Sequence, residues 1–195
     1  MTSQPNPLEQ THRRLLERFR KSMNLVGPGP VEEHFDDCHR ALAAVAPTGH
    51  WADLGSGAGF PGLVLAARAP SLRLDLVDSR QKRCTFLEMV LEEAEVDPTQ
   101  VQVHCTRVEK LPSETYDGVV SRAFAAPATA LEHAERLLVP GGVAVLFLQD
   151  HAPDCPHPQA EDPRWTVFHV EPYRVGGRRR KAVQLRWNPH VPRET

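Results

Sequence analysis

Trp51-Ala52-Asp53-Leu54-Gly55-Ser56-Gly57-Ala58-Gly59-Phe60-Pro61-Gly62 decides how the rest of this chain is read. An apolar strand pattern runs into four glycines and emerges in the stretch 63–68, whose apolar residues have helical spacing. Glycines at such a turn permit a tight bend and let a ligand approach the backbone closely. Gly57, Gly59 and Gly62 also satisfy the G-x-G-x-x-G spacing of a dinucleotide site, so the glycines alone leave the ligand open. Two acids narrow the choice. Asp53 stands two residues before Gly55 at the end of the first strand. A carboxylate there repels a pyrophosphate and suits a ligand that carries an ammonium group and a sulfonium. Asp78 ends the next strand, about twenty residues beyond the glycines, where a carboxylate takes the two hydroxyls of a ribose. The ribose acid is common to both kinds of cofactor, whereas Asp53 points to S-adenosylmethionine and against a nicotinamide dehydrogenase. The bland alternative is a glycine turn that only packs, flanked by two exposed aspartates.

Outward from this turn, strand patterns at 51–54, 72–77, 101–104, 118–120 and 143–148 alternate with helical patterns at 63–68, 81–93 and 127–138. That alternation predicts an α/β fold with a mostly parallel sheet. Ala130, Leu131, Ala134, Leu137 and Leu138 form one apolar stripe, and Pro140-Gly141-Gly142 are expected to close that helix. Upstream, Leu8, Leu15, Leu16, Phe19 and Met23 predict an amphipathic helix over 8–23; Gly27-Pro28-Gly29-Pro30 stops it, and a second helix follows over 33–46. Downstream, 166–171 and 182–187 alternate as strands around a turn at 176–181, a terminal hairpin. The whole reads as a single domain: an N-terminal helical extension (1–46), a cofactor-binding core (47–150), and a proline-rich connection with the hairpin (151–195).

With 195 residues, 41% of them hydrophobic and 25% charged, the chain has ordinary globular composition and room for one well-buried domain. Its longest relevant apolar run, 143–148, is far short of the roughly 20 residues a membrane span needs. The N-terminal residues carry no apolar signal core, so a cytoplasmic protein is expected. Its four cysteines (Cys38, Cys84, Cys105 and Cys155) are then reduced thiols. His151-Ala-Pro-Asp-Cys155-Pro-His157 has the look of a metal clip, but no second ligand cluster answers it, and no metal is expected. Seven of the 18 prolines follow Asp150, which makes the region 151–163 loop-rich.

The net charge of −2 hides an asymmetry. Residues 22–171 hold 22 acids against 11 Lys and Arg, whereas 172–193 hold seven basic residues and no acid. Arg13, Arg14, Arg18, Arg20 and Lys21 crowd the other end. An acidic body with basic ends suggests an anionic partner, the alternative being solvated surface loops.

Four blocks in order resemble one family: Gly55-Ser-Gly-Ala-Gly-Phe60-Pro61-Gly62, Asp78-Ser-Arg-Gln-Lys82-Arg83-Cys-Thr-Phe86-Leu87, Arg107-Val108-Glu109 and Asp117-Gly-Val-Val-Ser121-Arg122-Ala123-Phe124. Met23-Asn24-Leu25 followed by Glu33-His34 resembles the same family's N-terminal signature. It is the bacterial 16S rRNA guanine-N7 methyltransferase family, small-subunit methyltransferase G, also known as glucose-inhibited division protein B. The resemblance runs from about residue 15 to about residue 148. It implies a class I methyltransferase fold, a Rossmann-like sheet of seven strands with the last pair antiparallel. It also implies S-adenosylmethionine as methyl donor and N7 of a guanine in 16S rRNA, of the nucleotide-527 type, as acceptor. The partner is then the 30S subunit or its precursor, and the protein a monomer. Carried over by motif, Gly55 and Phe60 line the cofactor, Val108 and Glu109 flank the adenine, and Arg122 closes the site. The residues read above add Asp53, Gly57, Gly59 and Asp78 to that wall.

Two features depart from the family pattern. Leu148-Gln149 stand where the family usually has Lys-Gly, and the N-terminal part is shorter by roughly one helix. The lost lysine keeps open a small-molecule or protein acceptor, or a relative that binds cofactor or RNA without turnover, because one scaffold hosts many acceptors.

Guanine N7 carries a lone pair and no proton. Its attack on a sulfonium methyl needs no general base, so Glu109 and Arg122 are expected to position rather than to move protons. Phe60 and Phe124 are candidates for stacking on a base, with packing under a loop as the alternative. Arg107, Lys82 and Arg83 lie at the carboxyl edge of the sheet, where ligands of open parallel sheets collect. Arg178, Arg179, Arg180 and Lys181 are expected as phosphate contacts from the hairpin turn, as is the basic run 13–21.

Overall fold

The computed structural model describes residues 6–149 and 162–191. The clip at 151–157, most of the proline-rich connection and Arg193 lie outside the described residues. Seven strands form one sheet: β1 (His50–Leu54), β2 (Arg73–Asp78), β3 (Val101–Cys105), β4 (Tyr116–Arg122), β5 (Leu138–Gln149), β6 (Trp165–Val175) and β7 (Arg178–Trp187). Their order is β3-β2-β1-β4-β5-β7-β6. The first five strands are parallel, and β7 runs antiparallel to both of its neighbours. The sheet is thus of the mostly parallel, seven-stranded kind expected.

Helices cover both faces. Helices α1 (Pro7–Phe19), α2 (Glu32–Ala41), α3 (Gly62–Arg68) and α4 (Gln81–Glu93) pack on one, around Leu15, Phe35, Leu63, Leu76 and Phe86. Helix α5 (Pro127–Leu137) covers the other with Leu131, Ala134 and Leu137, beside Trp165 and Trp187. Alternate residues of one strand therefore enter different cores, as Leu76 and Val77 of β2 do. Helix α1 begins where Asn6 Oδ1 accepts the Leu8 amide at 2.9 Å and Pro7 occupies a position whose missing N–H costs nothing. It ends at Phe19, earlier than the apolar spacing suggested, because Asn24 turns left-handed (φ 53°) and the Leu25 amide bonds back to the Arg20 carbonyl. Helix α2 stops at Ala41, and residues 42–45 continue as hydrogen-bonded turns rather than helix. No helix among the described residues is long and apolar enough to cross a membrane.

Two junctions differ from the sequence expectation. Strand β5 starts at Leu138 directly after α5, so Pro140-Gly141-Gly142 do not cap the helix. They form a bulge inside β5, between the pairs Tyr116/Leu138 and Gly118/Val143. The hairpin turn is only Gly176-Gly177, with φ of 54° and 74°, the two-residue geometry that matches strand twist. Arg178, Arg179, Arg180 and Lys181 consequently belong to β7, not to a loop. Strand β7 is an interior strand, and β6, with Pro172, forms the edge.

Candidate functional site

The glycine turn is pinned from beneath at several points. The amides of Gly55 and Ser56 both donate to the Val77 carbonyl, at 2.8 and 3.0 Å, tying the turn to the end of β2. The Gly57 amide donates to Asp78 Oδ2 at 3.0 Å, and the Arg80 amide to Asp78 Oδ1 at 2.9 Å. Gly62 opens α3 with its amide on Asp53 Oδ2 at 3.0 Å. A side chain at Gly55 would place its Cβ 2.7 Å from the Phe124 ring, and one at Gly57 would lie 2.7 Å from Arg83 Nη1. Both glycines also have positive φ, and that backbone conformation requires them.

Two cavities open at the carboxyl edge of the sheet, on either side of this turn. The first, ≈ 310 Å³, is lined by Asp78, Arg107, Val108, Glu109, Phe124 and their neighbours. The second, ≈ 380 Å³, lies between the turn, the N-terminal segment and the hairpin, with His34, Phe60, Arg122, Gln149, Arg178 and Arg180 in its wall. Gly55, Arg83 and Ala123 line both, so the cavities adjoin at the turn. The first offers a carboxylate and the amphipathic 3-10 turn Val108–Lys110. The second offers four guanidiniums.

Electrostatics in the second cavity centre on Asp37, which is 3% exposed on the inner side of α2. Its Oδ2 accepts from Arg122 Nη1 at 3.0 Å, its Oδ1 from the Tyr173 hydroxyl at 2.8 Å, and Arg180 Nε lies 3.5 Å from Oδ1. One acid of the helical layer thereby holds side chains from β4, β6 and β7. The Arg122 guanidinium also stacks 4.8 Å above the Phe60 ring. His34 is lowered to about 4 by burial and by Arg122, so its imidazole is neutral at pH 7. Behind the turn His12 is fully buried, 2.7 Å from the Ala58 carbonyl, and burial lowers it to about 3.

The sequence-predicted residues divide as follows. Gly55, Asp78, Val108, Glu109, Arg107, Arg83 and Phe124 come together in the first cavity, and Gly55, Gly57, Phe60, Arg83, Arg122, Arg178 and Arg180 in the second. Asp53 and Gly59 line neither. Asp53 is fully buried under the turn, where burial raises it to about 7 and its Oδ1 has no partner. It organises the start of α3 instead of facing the cavity. Phe60 is 3% exposed among His12, His34 and Phe35, which leaves only an edge for the cavity and no free face for a base. Phe124 lies on Gly55, on the Asp78 side of the turn. Lys82 and Arg179 are exposed outside both cavities. Lys181, expected to reach phosphate, is buried instead, because β7 is interior and sets it beside Leu148.

Asp37 and Tyr173 were missed. The usable signal for Asp37 is an acid on the stripe His34, Asp37, Cys38 and Ala41, the otherwise inward face of α2. Tyr173 carries no such signal, since its meeting with Asp37 spans 136 residues of chain.

A family model described as rRNA small subunit methyltransferase G matches residues 8–175. A protein named ribosomal RNA small subunit methyltransferase G from Rhodospirillum rubrum is 37% identical over 158 residues, covering 78% of this chain and 76% of its own. One of the same name from Leptothrix cholodnii is 34% identical over 176 residues, covering 84% and 77%. Among solved structures, a SAM dependent methyltransferase from Aquifex aeolicus superposes with a TM-score of 0.61 at 18% identity, over 86% of this chain and 97% of that one. A Burkholderia thailandensis 1,6-didemethyltoxoflavin-N1-methyltransferase superposes with a TM-score of 0.62 at 12% identity, over 96% and 92%. The fold is therefore that of class I S-adenosylmethionine-dependent methyltransferases, and, as the second structure illustrates, fold alone leaves the acceptor open.

Proposed function

The chain belongs to the rRNA small subunit methyltransferase G family, and on that premise we propose that it transfers the methyl group of S-adenosylmethionine to N7 of a guanine in 16S rRNA. The observation that carries this reading is the pair of cavities meeting at the glycine turn, one with a carboxylate suited to a ribose and the other with four arginines suited to an RNA acceptor. Asp78 takes the ribose hydroxyls on the first side, with its own position fixed by the Gly57 and Arg80 amides. Val108 and Glu109 bound the adenine. The donor supplies an electrophilic methyl on a sulfonium, and the turn at Gly55 and Gly57 is the passage between donor and acceptor sides.

A guanine entering the second cavity presents N7 without needing to lose a proton, which suits a site whose histidine, His34, is lowered to about 4 and is a weak proton acceptor. Arg122, held by Asp37 and by the Phe60 ring, is a fixed positive group at the end of β4 that orients the acceptor. Arg178 and Arg180 lie where the RNA backbone would enter, and phosphate contacts there set register without reading sequence. Such an acceptor places the protein in the cytoplasm with the small ribosomal subunit or its precursor as partner.

The test is transfer of tritiated methyl to 30S particles, and to naked 16S rRNA, from cells lacking the modification. Label recovered as 7-methylguanine in 16S rRNA is the expected result. Label only in protein or in a small molecule, or tight donor binding without transfer, would overturn the proposal.

A further inference from the structure

We propose that Glu33 is the residue that selects guanine, its carboxylate accepting from N1–H and the 2-amino group of the base; this rests on the methyl-transfer reading above. A purine that turns N7 toward the methyl donor turns its N1 and 2-amino edge the opposite way. Guanine carries two neighbouring donors on that edge, and buried donors need acceptors. A carboxylate has two oxygens side by side and matches them as a pair.

The acceptor cavity contains two acids, Glu33 and Asp37. Asp37 is 3% exposed, and its oxygens serve Arg122, Tyr173 and Arg180. Glu33 is exposed, and its carboxylate has no hydrogen bond or ion pair among the described residues, although Arg178 and Arg180 line the same cavity. The carboxylate lies over Gly176 of the hairpin turn, where a Cβ would come within 2.6 Å of Oε2. It therefore stands at the hairpin side of the cavity, between α2 and the turn that leads to Arg178. The four arginines of the wall suit guanine O6 and phosphate, and of its two carboxylates Glu33 is the one whose oxygens are not engaged by Arg122, Tyr173 and Arg180.

Charge strengthens the assignment. Methylation at N7 leaves the purine cationic, so a carboxylate on its far edge attracts the product-like base more strongly than the neutral one, a contact that favours the transition state. The same carboxylate rejects adenine, which in that pose sets the lone pair of N1 against it.

The experiment uses 30S particles assembled from ligated 16S rRNA that carries either guanosine or inosine at the mapped target nucleotide; inosine lacks only the 2-amino group. With wild-type protein, inosine is expected to lower kcat/KM about tenfold or more, since a site built around a donor penalises its loss. Glu33→Ala is expected to lower kcat/KM for guanosine by a similar factor and to treat the two bases within about twofold, with Glu33→Gln in between. Donor affinity by calorimetry and thermal midpoint should stay at wild-type values, which separates selection from folding. A Glu33→Ala variant that keeps the wild-type preference for guanosine overturns the assignment while leaving the methyl-transfer reading intact. Wild-type protein that methylates neither particle overturns both.

Discussion

Asp53→Asn isolates the cost of an acid held under the glycine turn. Asp53 is fully buried; Oδ2 accepts the Gly62 amide and Oδ1 has no partner. Burial raises the carboxyl from its ordinary 3.8 to about 7. The folded chain therefore binds this proton more tightly than the unfolded chain, and stability is fully present below pH 3.8 and withdrawn as pH rises toward 7. Each unit of difference is worth about 1.4 kcal/mol, so between pH 5 and 7 wild type should lose about 2–3 kcal/mol relative to a variant with no proton to lose. The asparagine substitution is that variant: its side-chain oxygen still accepts from Gly62, and its buried NH2 brings a penalty of about 1–3 kcal/mol that does not vary with pH. The assay is urea unfolding of both proteins at half-unit pH steps. Their difference in unfolding free energy should slope with pH in favour of the Asp53→Asn variant, equivalent to a relative shift of about 5–10 °C in thermal midpoint for a chain of this size. A difference that stays flat from pH 5 to 7 would show that Asp53 ionises freely, and that the turn is not closed over it as described.

Other perturbations test the remaining parts of the site. Asp78→Ala removes both the proposed ribose contact and the anchor for the Gly57 and Arg80 amides; S-adenosylmethionine should bind at least about tenfold more weakly by calorimetry, and unaltered affinity would contradict the placement. Asp37→Ala leaves Arg122 and Arg180 without their shared counter-charge; unfolding free energy should fall by about 3 kcal/mol, and Asp37→Asn should fall less. Replacing Arg178, Arg179 and Arg180 together with Ala should weaken RNA binding and flatten its dependence on salt, and an unchanged salt slope would remove this part of β7 from the RNA surface. His104 is raised above its usual 6.5 by the Asp75 carboxylate, 3.3 Å from its Nε2. It therefore contributes stability below pH 6.5 that is lost as pH rises through its folded value, and His104→Asn should destabilise the protein more at pH 6 than at pH 8.

The chain by itself determined whatever depends on neighbours in sequence. A strand, four glycines and a helix in succession specify one kind of crossover turn because backbone conformation is local. Short apolar runs alternating with helical periods specify a parallel sheet, because the helices between the strands cover both of its faces. The place of Asp78 in the wall of the first cavity was legible because it ends the strand that runs beside the glycine turn. Tertiary structure decided whatever depends on which strand lies beside which. Insertion of β7 between β5 and β6 buries Lys181, sends Arg180 to Asp37 and brings Tyr173 to the same acid. Asp53 was misread because its spacing to the glycines is right for a ligand contact, while the closing of α3 over its carboxylate sets the side chain beneath the turn. Periodicity records which side of an element is apolar; it does not record what another element, more than a hundred residues away, places against the polar atoms that remain.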